Sequence, residues 1–164
     1  GARLLLELAG IQHGQARTAL QARFARHGIT AARLQLEERD PRWQYLRYHQ
    51  IDIALDPFPA NGGTSSCDLL WMGAPLVTLA GERFVSRMGV SLLNAIGHPE
   101  WIAADADAYL DIAVNLAADV DALNATRLGL RAEVESSPLM DEPRFAEHFA
   151  QALRGMWQDW LQHP

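Results

Sequence analysis

Lysine is absent from this chain, and all 14 of its basic residues are arginine. A P-loop lysine, a lysine Schiff base and a lysine phosphate clamp are therefore excluded within it. Cysteine is almost as scarce. Cys67 stands alone, which rules out an internal disulfide and leaves a reducing compartment as the simplest setting. It lies among apolar neighbours, so a small buried role is expected of it rather than nucleophilic chemistry. No apolar run approaches the length of about 18 residues that a membrane span needs, and no charged-then-apolar leader opens the chain. The expected setting is cytoplasmic, away from membranes. The histidines, His13, His27, His49, His98, His148 and His163, show no i, i+4 pairing and no cysteine partner, so no metal site follows.

Positive charge is short as well. The formal net charge is −6, but it is unevenly spread: residues 1–50 sum to +4 and residues 51–164 to −10. A broad nucleic-acid interface needs a continuous basic face, which this distribution does not supply. A local positive patch that attracts one small anion remains open.

What is present is enough for a folded core. The chain has 164 residues, 49% of them apolar, and a domain of that length buries about 70% of its unfolded surface. Short apolar runs alternate with amphipathic segments, the signature of parallel βα units. Strands are expected near 3–9, 33–37, 51–55, 75–79 and 100–103. Helices are expected near 13–27, 41–49, 64–72, 83–96 and 106–134, with Gly28 and Gly97 as C-terminal stops. The strand runs are continuously apolar, as they are when helices cover both faces of a sheet. Gly1 falls just before the run Leu4-Leu5-Leu6. A domain seldom begins at the mouth of a strand, so an excerpt of a longer protein is expected.

The helix from Asp105 carries Tyr109, Ile112, Ala113, Leu116, Val120 and Leu123 at three- and four-residue steps, one core-facing stripe beside an acidic side. Ser136-Ser137-Pro138 ends it. After Pro143 a last helix gathers Phe145, Phe149, Leu153, Met156, Trp157 and Trp160 on one face. The expected division is a nucleotide-binding lobe over 1–135 and a helical segment over 136–164. That segment would pack on the lobe or on a part of the protein outside this chain.

The most informative stretch is Asp56-Pro57-Phe58-Pro59-Ala60-Asn61-Gly62-Gly63-Thr64-Ser65-Ser66-Cys67-Asp68. It follows the strand-like Ile51-Asp52-Ile53-Ala54-Leu55 and precedes the helical Leu69-Leu70-Trp71-Met72. A strand, a glycine turn and a hydroxyl-rich helix start form an anion pocket from backbone amides. Gly62 and Gly63 allow close approach of a ligand, and Thr64, Ser65 and Ser66 add hydroxyls beside free N–H groups. The element suits a diphosphate, with Asp68 placed to accept from a sugar hydroxyl. A second reading stays open: Ser65 as N-cap with Asp68 three residues on makes a capping box that needs no ligand. Asp56 reads as a turn or cap residue, not as an acid catalyst. His98, at a helix–strand turn, reads as a surface residue.

Taken with Gly73-Ala74-Pro75-Leu76-Val77-Thr78-Leu79-Ala80-Gly81, Ser86-Arg87-Met88-Gly89-Val90-Ser91-Leu92-Leu93, Ser136-Ser137-Pro138-Leu139 and Met156-Trp157-Gln158-Asp159-Trp160, this stretch resembles glycosyltransferase family 41. These are the O-linked N-acetylglucosamine transferases and their bacterial homologues. The resemblance covers nearly the whole chain and is strongest over 51–103. It implies an α/β fold with a Rossmann-like parallel sheet, the C-terminal lobe of a two-lobed GT-B enzyme. That lobe binds the donor UDP-N-acetylglucosamine. It implies donor diphosphate contacts from Gly62, Gly63, Thr64 and Ser65, and a ribose contact from Asp68. Arg39-Asp40-Pro41-Arg42, with Tyr45, matches the loop that frames the base. Gly63 stands where the family has a histidine, Arg42 where it has lysine, and Tyr45 where animal members have histidine. Arginine keeps the charge but presents a planar fork.

The family's phosphate lysine precedes this stretch and its proposed histidine base lies in the other lobe, so no catalytic residue is expected here and this piece alone would be inactive. No cofactor and no metal are expected; no acidic doublet accompanies the turn. The implied partners are the UDP-sugar donor, an N-terminal lobe, a tetratricopeptide array and a protein Ser/Thr acceptor, with no nucleic acid and no membrane. The implied reaction is inverting, metal-independent transfer of N-acetylglucosamine. Two other readings are a sugar-nucleotide enzyme of the same fold, such as an epimerase, and a non-catalytic interaction domain.

Overall fold

The computed structural model describes residues 1–40, 42 and 44–163, with Gln44 described by its backbone alone. Two units divide the chain, Gly1–Ile51 and Asp52–Pro164.

In the first unit β1 (Leu4–Leu8) leads into α1 (Gly14–Ala25), and β2 (Leu34–Glu38) into the short α2 (Gln44–Tyr48). β1 and β2 pair in parallel from Leu4 opposite Leu34 to Leu8 opposite Glu38. Ile11, Leu34 and Leu36 form the core, with Leu4, Leu6, Leu20 and Phe24 packed on it. The Glu38 carboxylate accepts from the Gly10 N–H at 2.7 Å and the Gln12 N–H at 3.2 Å, fixing the loop after β1. The Arg17 guanidinium donates to the Leu36 carbonyl at 2.7 Å and ties α1 to β2.

In the second unit β3 (Ala54–Leu55), β4 (Leu76–Leu79) and β5 (Ile102–Ala103) form a sheet in that order, every pair parallel. The connections carry α3 (Thr64–Trp71) and α4 (Met88–Ala95). Then follow α5 (Ala106–Ala118), α6 (Val120–Ser136) and α7 (Glu142–Gln162). Val77, Ala103 and Tyr109 make one core cluster, with Ile53, Leu79, Ile112, Ala113 and Leu116 around it. Leu70, Leu76, Leu93 and Leu130 are fully buried, each contributing about 1.5–3 kcal/mol by leaving water. The parallel βα architecture expected from the sequence is present in both units.

Several boundaries differ, each for a local reason. The expected strand over 51–55 pairs only at Ala54 and Leu55, because the Ile51 N–H closes a turn on the Tyr48 carbonyl. The expected helix over 83–96 is split into a 3-10 turn, Phe84–Ser86, and α4. The Ser86 hydroxyl donates to the Arg83 carbonyl at 2.8 Å and accepts from the Arg83 N–H at 3.2 Å, closing that turn before α4 begins. The long helix over 106–134 breaks at Asp119, whose backbone is extended. Asp119 accepts from the Ala122 N–H at 2.9 Å and so caps α6, a competing local bond that aspartate offers readily. The break turns Val120 out to solvent at 72% exposure, so the stripe read through Val120 ends at Leu116. Gly28 and Gly97 do stop α1 and α4, with φ of 76° and 85°, a region that favours glycine.

α6 is held to the second unit by Leu130 and Val134, both buried, and by Arg127, which pairs with Asp52 at 2.6 Å. α7 has no buried residue. Among the described residues, no helix is long and apolar enough to cross a membrane.

Candidate functional site

β3 ends at Leu55, and the next side chain, Asp56, is 1% exposed. Its carboxyl gathers donors from three places. The Gly62 N–H reaches Oδ1 at 2.8 Å, the Thr78 hydroxyl reaches Oδ2 at 2.7 Å, and the Ser66 hydroxyl lies 3.4 Å from Oδ1. Burial pushes this carboxyl above the usual carboxylate range, against the opposing pull of those three hydrogen bonds. Beyond it, the Asn61 N–H donates to the Val85 carbonyl at 2.8 Å and its side-chain amide to the Pro57 carbonyl at 3.2 Å. The Asn61 Oδ1 is buried with no partner among the described residues.

α3 starts at Thr64, with Gly63 as its N-cap and no side-chain cap. The capping box read at Ser65 and Asp68 is therefore not formed; Ser65 is already the second residue of the helix. The Ser66 and Cys67 N–H groups both donate to the Gly63 carbonyl, at 3.0 and 3.1 Å. The N–H groups and hydroxyls of Thr64 and Ser65 meet no partner among the described residues, and both side chains are exposed. These are the open donors that a helix start offers an anion. Gly62 is different, since its N–H is already committed to Asp56. The space a side chain at Gly62 would need is filled by the Ser66 hydroxyl and the Asp56 carboxyl. At Gly63 a Cβ would lie 3.0 Å from the Met88 methyl. Asp68 is half-buried on α3, just past its first turn. Burial, and then the charge of Asp68, raise the Cys67 thiol, so it remains a thiol and not a nucleophile.

The base-framing candidates lie in the first unit. The Asp40 carboxylate accepts from the Arg42 guanidinium at 2.7 Å and from the Arg42 N–H at 3.0 Å. Those bonds pull the Asp40 pKa down to about 2. Arg42 therefore spends its fork on a neighbour while remaining 82% exposed. Arg39 is exposed, and Tyr45 stands edge-on to Tyr48 with ring centres 6.0 Å apart. Pro41 of this motif lies outside the described residues.

Sequence reasoning missed the residues that shape the glycine turn from beneath. Thr78 is a single hydroxyl inside the apolar Leu76–Leu79 strand, and Tyr109 donates to the Asp56 carbonyl at 2.9 Å. At Gly89 a Cβ would collide with both Thr78 and Asp56. A lone polar residue in a buried strand, facing an aspartate at the end of the next one, was the available signal. His98 is also more engaged than a surface reading allows. It bonds Glu100 and Glu133, both at 2.7 Å, and stacks on Trp101 at 3.8 Å.

Two clefts lie away from the glycine turn. One of about 300 Å³ sits at the α5–α6 joint between Trp101, Leu116, Leu123 and Thr126, and another of about 400 Å³ is lined by Pro138, Phe145 and Phe149. No group of three potential metal ligands occurs among the described residues.

A "Probable UDP-N-acetylglucosamine--peptide N-acetylglucosaminyltransferase SPINDLY" of Arabidopsis thaliana is 41% identical over 113 residues, covering 69% of this chain and 12% of that protein. A UDP-N-acetylglucosamine--peptide N-acetylglucosaminyltransferase of Caenorhabditis elegans is 33% identical over 132 residues, covering 80% of this chain and 12% of its own length. The chain thus spans about an eighth of these relatives. Among solved structures, a mutant O-GlcNAc transferase of Thermobaculum terrenum superposes with a TM-score of 0.90 at 35% identity, over 98% of this chain and 31% of that one. The family model for glycosyl transferase family 41 matches residues 7–149, and the chain belongs to that family.

Proposed function

We propose that this chain is the donor-binding lobe of an O-linked N-acetylglucosaminyltransferase that uses UDP-N-acetylglucosamine. The observation that carries the proposal is the open start of α3. The N–H groups and hydroxyls of Thr64 and Ser65 have no partner among the described residues, and relatives that this chain matches are named for transfer from that donor.

In this reading the diphosphate sits against Gly63, Thr64 and Ser65. Gly62 shapes the turn, since its N–H is taken by Asp56. Asp68 accepts from the ribose hydroxyls. As the anomeric bond breaks, negative charge grows on the leaving uridine diphosphate. Preorganised amides meet that charge without reorganising water. The helix dipole adds about 0.3–2 kcal/mol, while each hydrogen bond to the charged oxygens adds about 1.5–3 kcal/mol. The transfer is inverting and independent of a metal, and the acceptor is a protein Ser/Thr hydroxyl. Its deprotonation falls to residues outside this chain. Residues 136–164 form a packing element, and the apolar face of α7 takes up the rest of the protein.

The test is titration calorimetry with uridine diphosphate on the wild type and on a Thr64→Ala, Asp68→Asn double variant. Loss of affinity with an unchanged circular dichroism spectrum supports the site. Equal affinity in both proteins removes it.

A further inference from the structure

We propose that Asp56 is a positioning residue for diphosphate recognition: from beneath the glycine turn it holds Gly62 and Ser66, so that the amides between them stay open and aligned. The proposal rests on the donor-binding reading above.

The argument begins with how α3 starts. A helix start is usually quenched by its own Ser, Thr, Asp or Asn cap, and here no side chain caps it. Order comes instead from the Asp56 carboxyl, which takes the Gly62 N–H on one side and the Ser66 hydroxyl on the other. Residues 63–65 lie between these two anchors, with Thr64 and Ser65 exposed. The third anchor, the Thr78 hydroxyl at 2.7 Å, fixes the carboxyl to β4.

The surroundings are shaped around this group. A Cβ at Gly62 would collide with the Ser66 hydroxyl, and one at Gly89 with the carboxyl itself and with Thr78. Two glycines thus leave room for a carboxyl that is 1% exposed. A buried carboxyl is costly to place, and a plain turn would need no such group. Asp56 is too deep to touch the nucleotide, so it acts through Gly62 and Ser66.

A residue that acts this way should matter to the diphosphate and not to the nucleoside. The full chain and its Asp56→Asn, Asp56→Ala and Thr78→Val variants would be titrated with uridine diphosphate by calorimetry. Uridine binding would be followed by ligand-observed NMR and folding by circular dichroism. Asp56→Ala is expected to weaken uridine diphosphate about tenfold or more, with uridine within about twofold. Asp56→Asn restores affinity to within about threefold of wild type, because the amide can still accept from Gly62 and bond Thr78. If Asp56→Ala does not fold, Thr78→Val decides, with an expected loss of about threefold for uridine diphosphate alone. Unchanged uridine diphosphate affinity in the deciding variant overturns the proposal, as does a parallel loss of both ligands. Wild type that binds no uridine diphosphate removes the donor-binding reading and this proposal together. Wild type that binds it beside an indifferent Asp56→Ala removes this proposal alone.

Discussion

The Tyr109 hydroxyl donates to the Asp56 main-chain carbonyl at 2.9 Å, joining residues 53 apart in sequence. The bond pins the first turn of α5 to the end of β3, at the residue whose carboxyl holds the glycine turn. The Phe58 ring stands edge-on to Tyr109 at 5.6 Å and helps to close the bond from water.

Tyr109→Phe should therefore cost about 1 kcal/mol, since it leaves a buried carbonyl without its donor. Burial, and then the charge of Asp56, push the Tyr109 phenol up to about 12 from 10.0. A raised folded value means that its contribution is complete below pH 10 and is lost as pH climbs toward 12. Urea melts of wild type and variant, with ultraviolet titration of the phenols, check both points. A difference titration with no component near 12 would contradict the geometry.

Asp56 itself is raised above its ordinary value of 3.8 by burial. For such a group the folded state is favoured below pH 3.8, and that advantage fades as pH rises through the folded value. At neutral pH the buried charge weighs against folding. Asp56→Asn, whose amide oxygen still accepts from Gly62 and whose NH2 can donate to the Thr78 hydroxyl, should be more stable than wild type at pH 7, and the gap should close toward pH 4. Urea midpoints at the two pH values measure it; a less stable variant at pH 7 would be the wrong sign.

His98 gives a second pH signature. Burial alone would lower its pKa, but the bonds to Glu133 and Glu100 outweigh it and carry the imidazole above 6.5. Its contribution is fully present below pH 6.5 and disappears as pH rises through the higher folded value. Melting temperature should fall across that window in wild type, and His98→Gln should flatten the profile. A wild-type profile that stays flat would show that the two carboxylates do not hold a charged imidazole.

Asp119 is the joint between α5 and α6. Asp119→Ala removes the bond to the Ala122 N–H and should cost about 1 kcal/mol. Chemical denaturation reads this directly, with Asp119→Asn or Asp119→Ser expected to recover most of the loss.

Much of this architecture was legible in residue order. Continuous apolar runs marked the strands, and Gly28 and Gly97 marked two helix ends, because these depend on local chemistry. The glycine turn was legible as a strand-to-helix turn for the same reason. What escaped was set by partners distant in sequence. Asp56 looked like a turn residue because Thr78, Gly89 and Tyr109, which give it meaning, come 22 or more residues later. Ser65 looked like a cap because nothing local reveals that Gly63 already occupies that place. The break at Asp119 was hidden by a helical stripe that runs straight through it, and only the cap bond to Ala122 separates the two helices.

On α7, Trp157 and Trp160 stack with ring centres 5.2 Å apart, at 59% and 56% exposure. Two wet indoles emit at long wavelength, whereas Trp101, 5% exposed, supplies a dry internal reference. Anything that settles over that helix would shift the emission toward the blue, so the chain carries its own optical reporter of docking without an added dye.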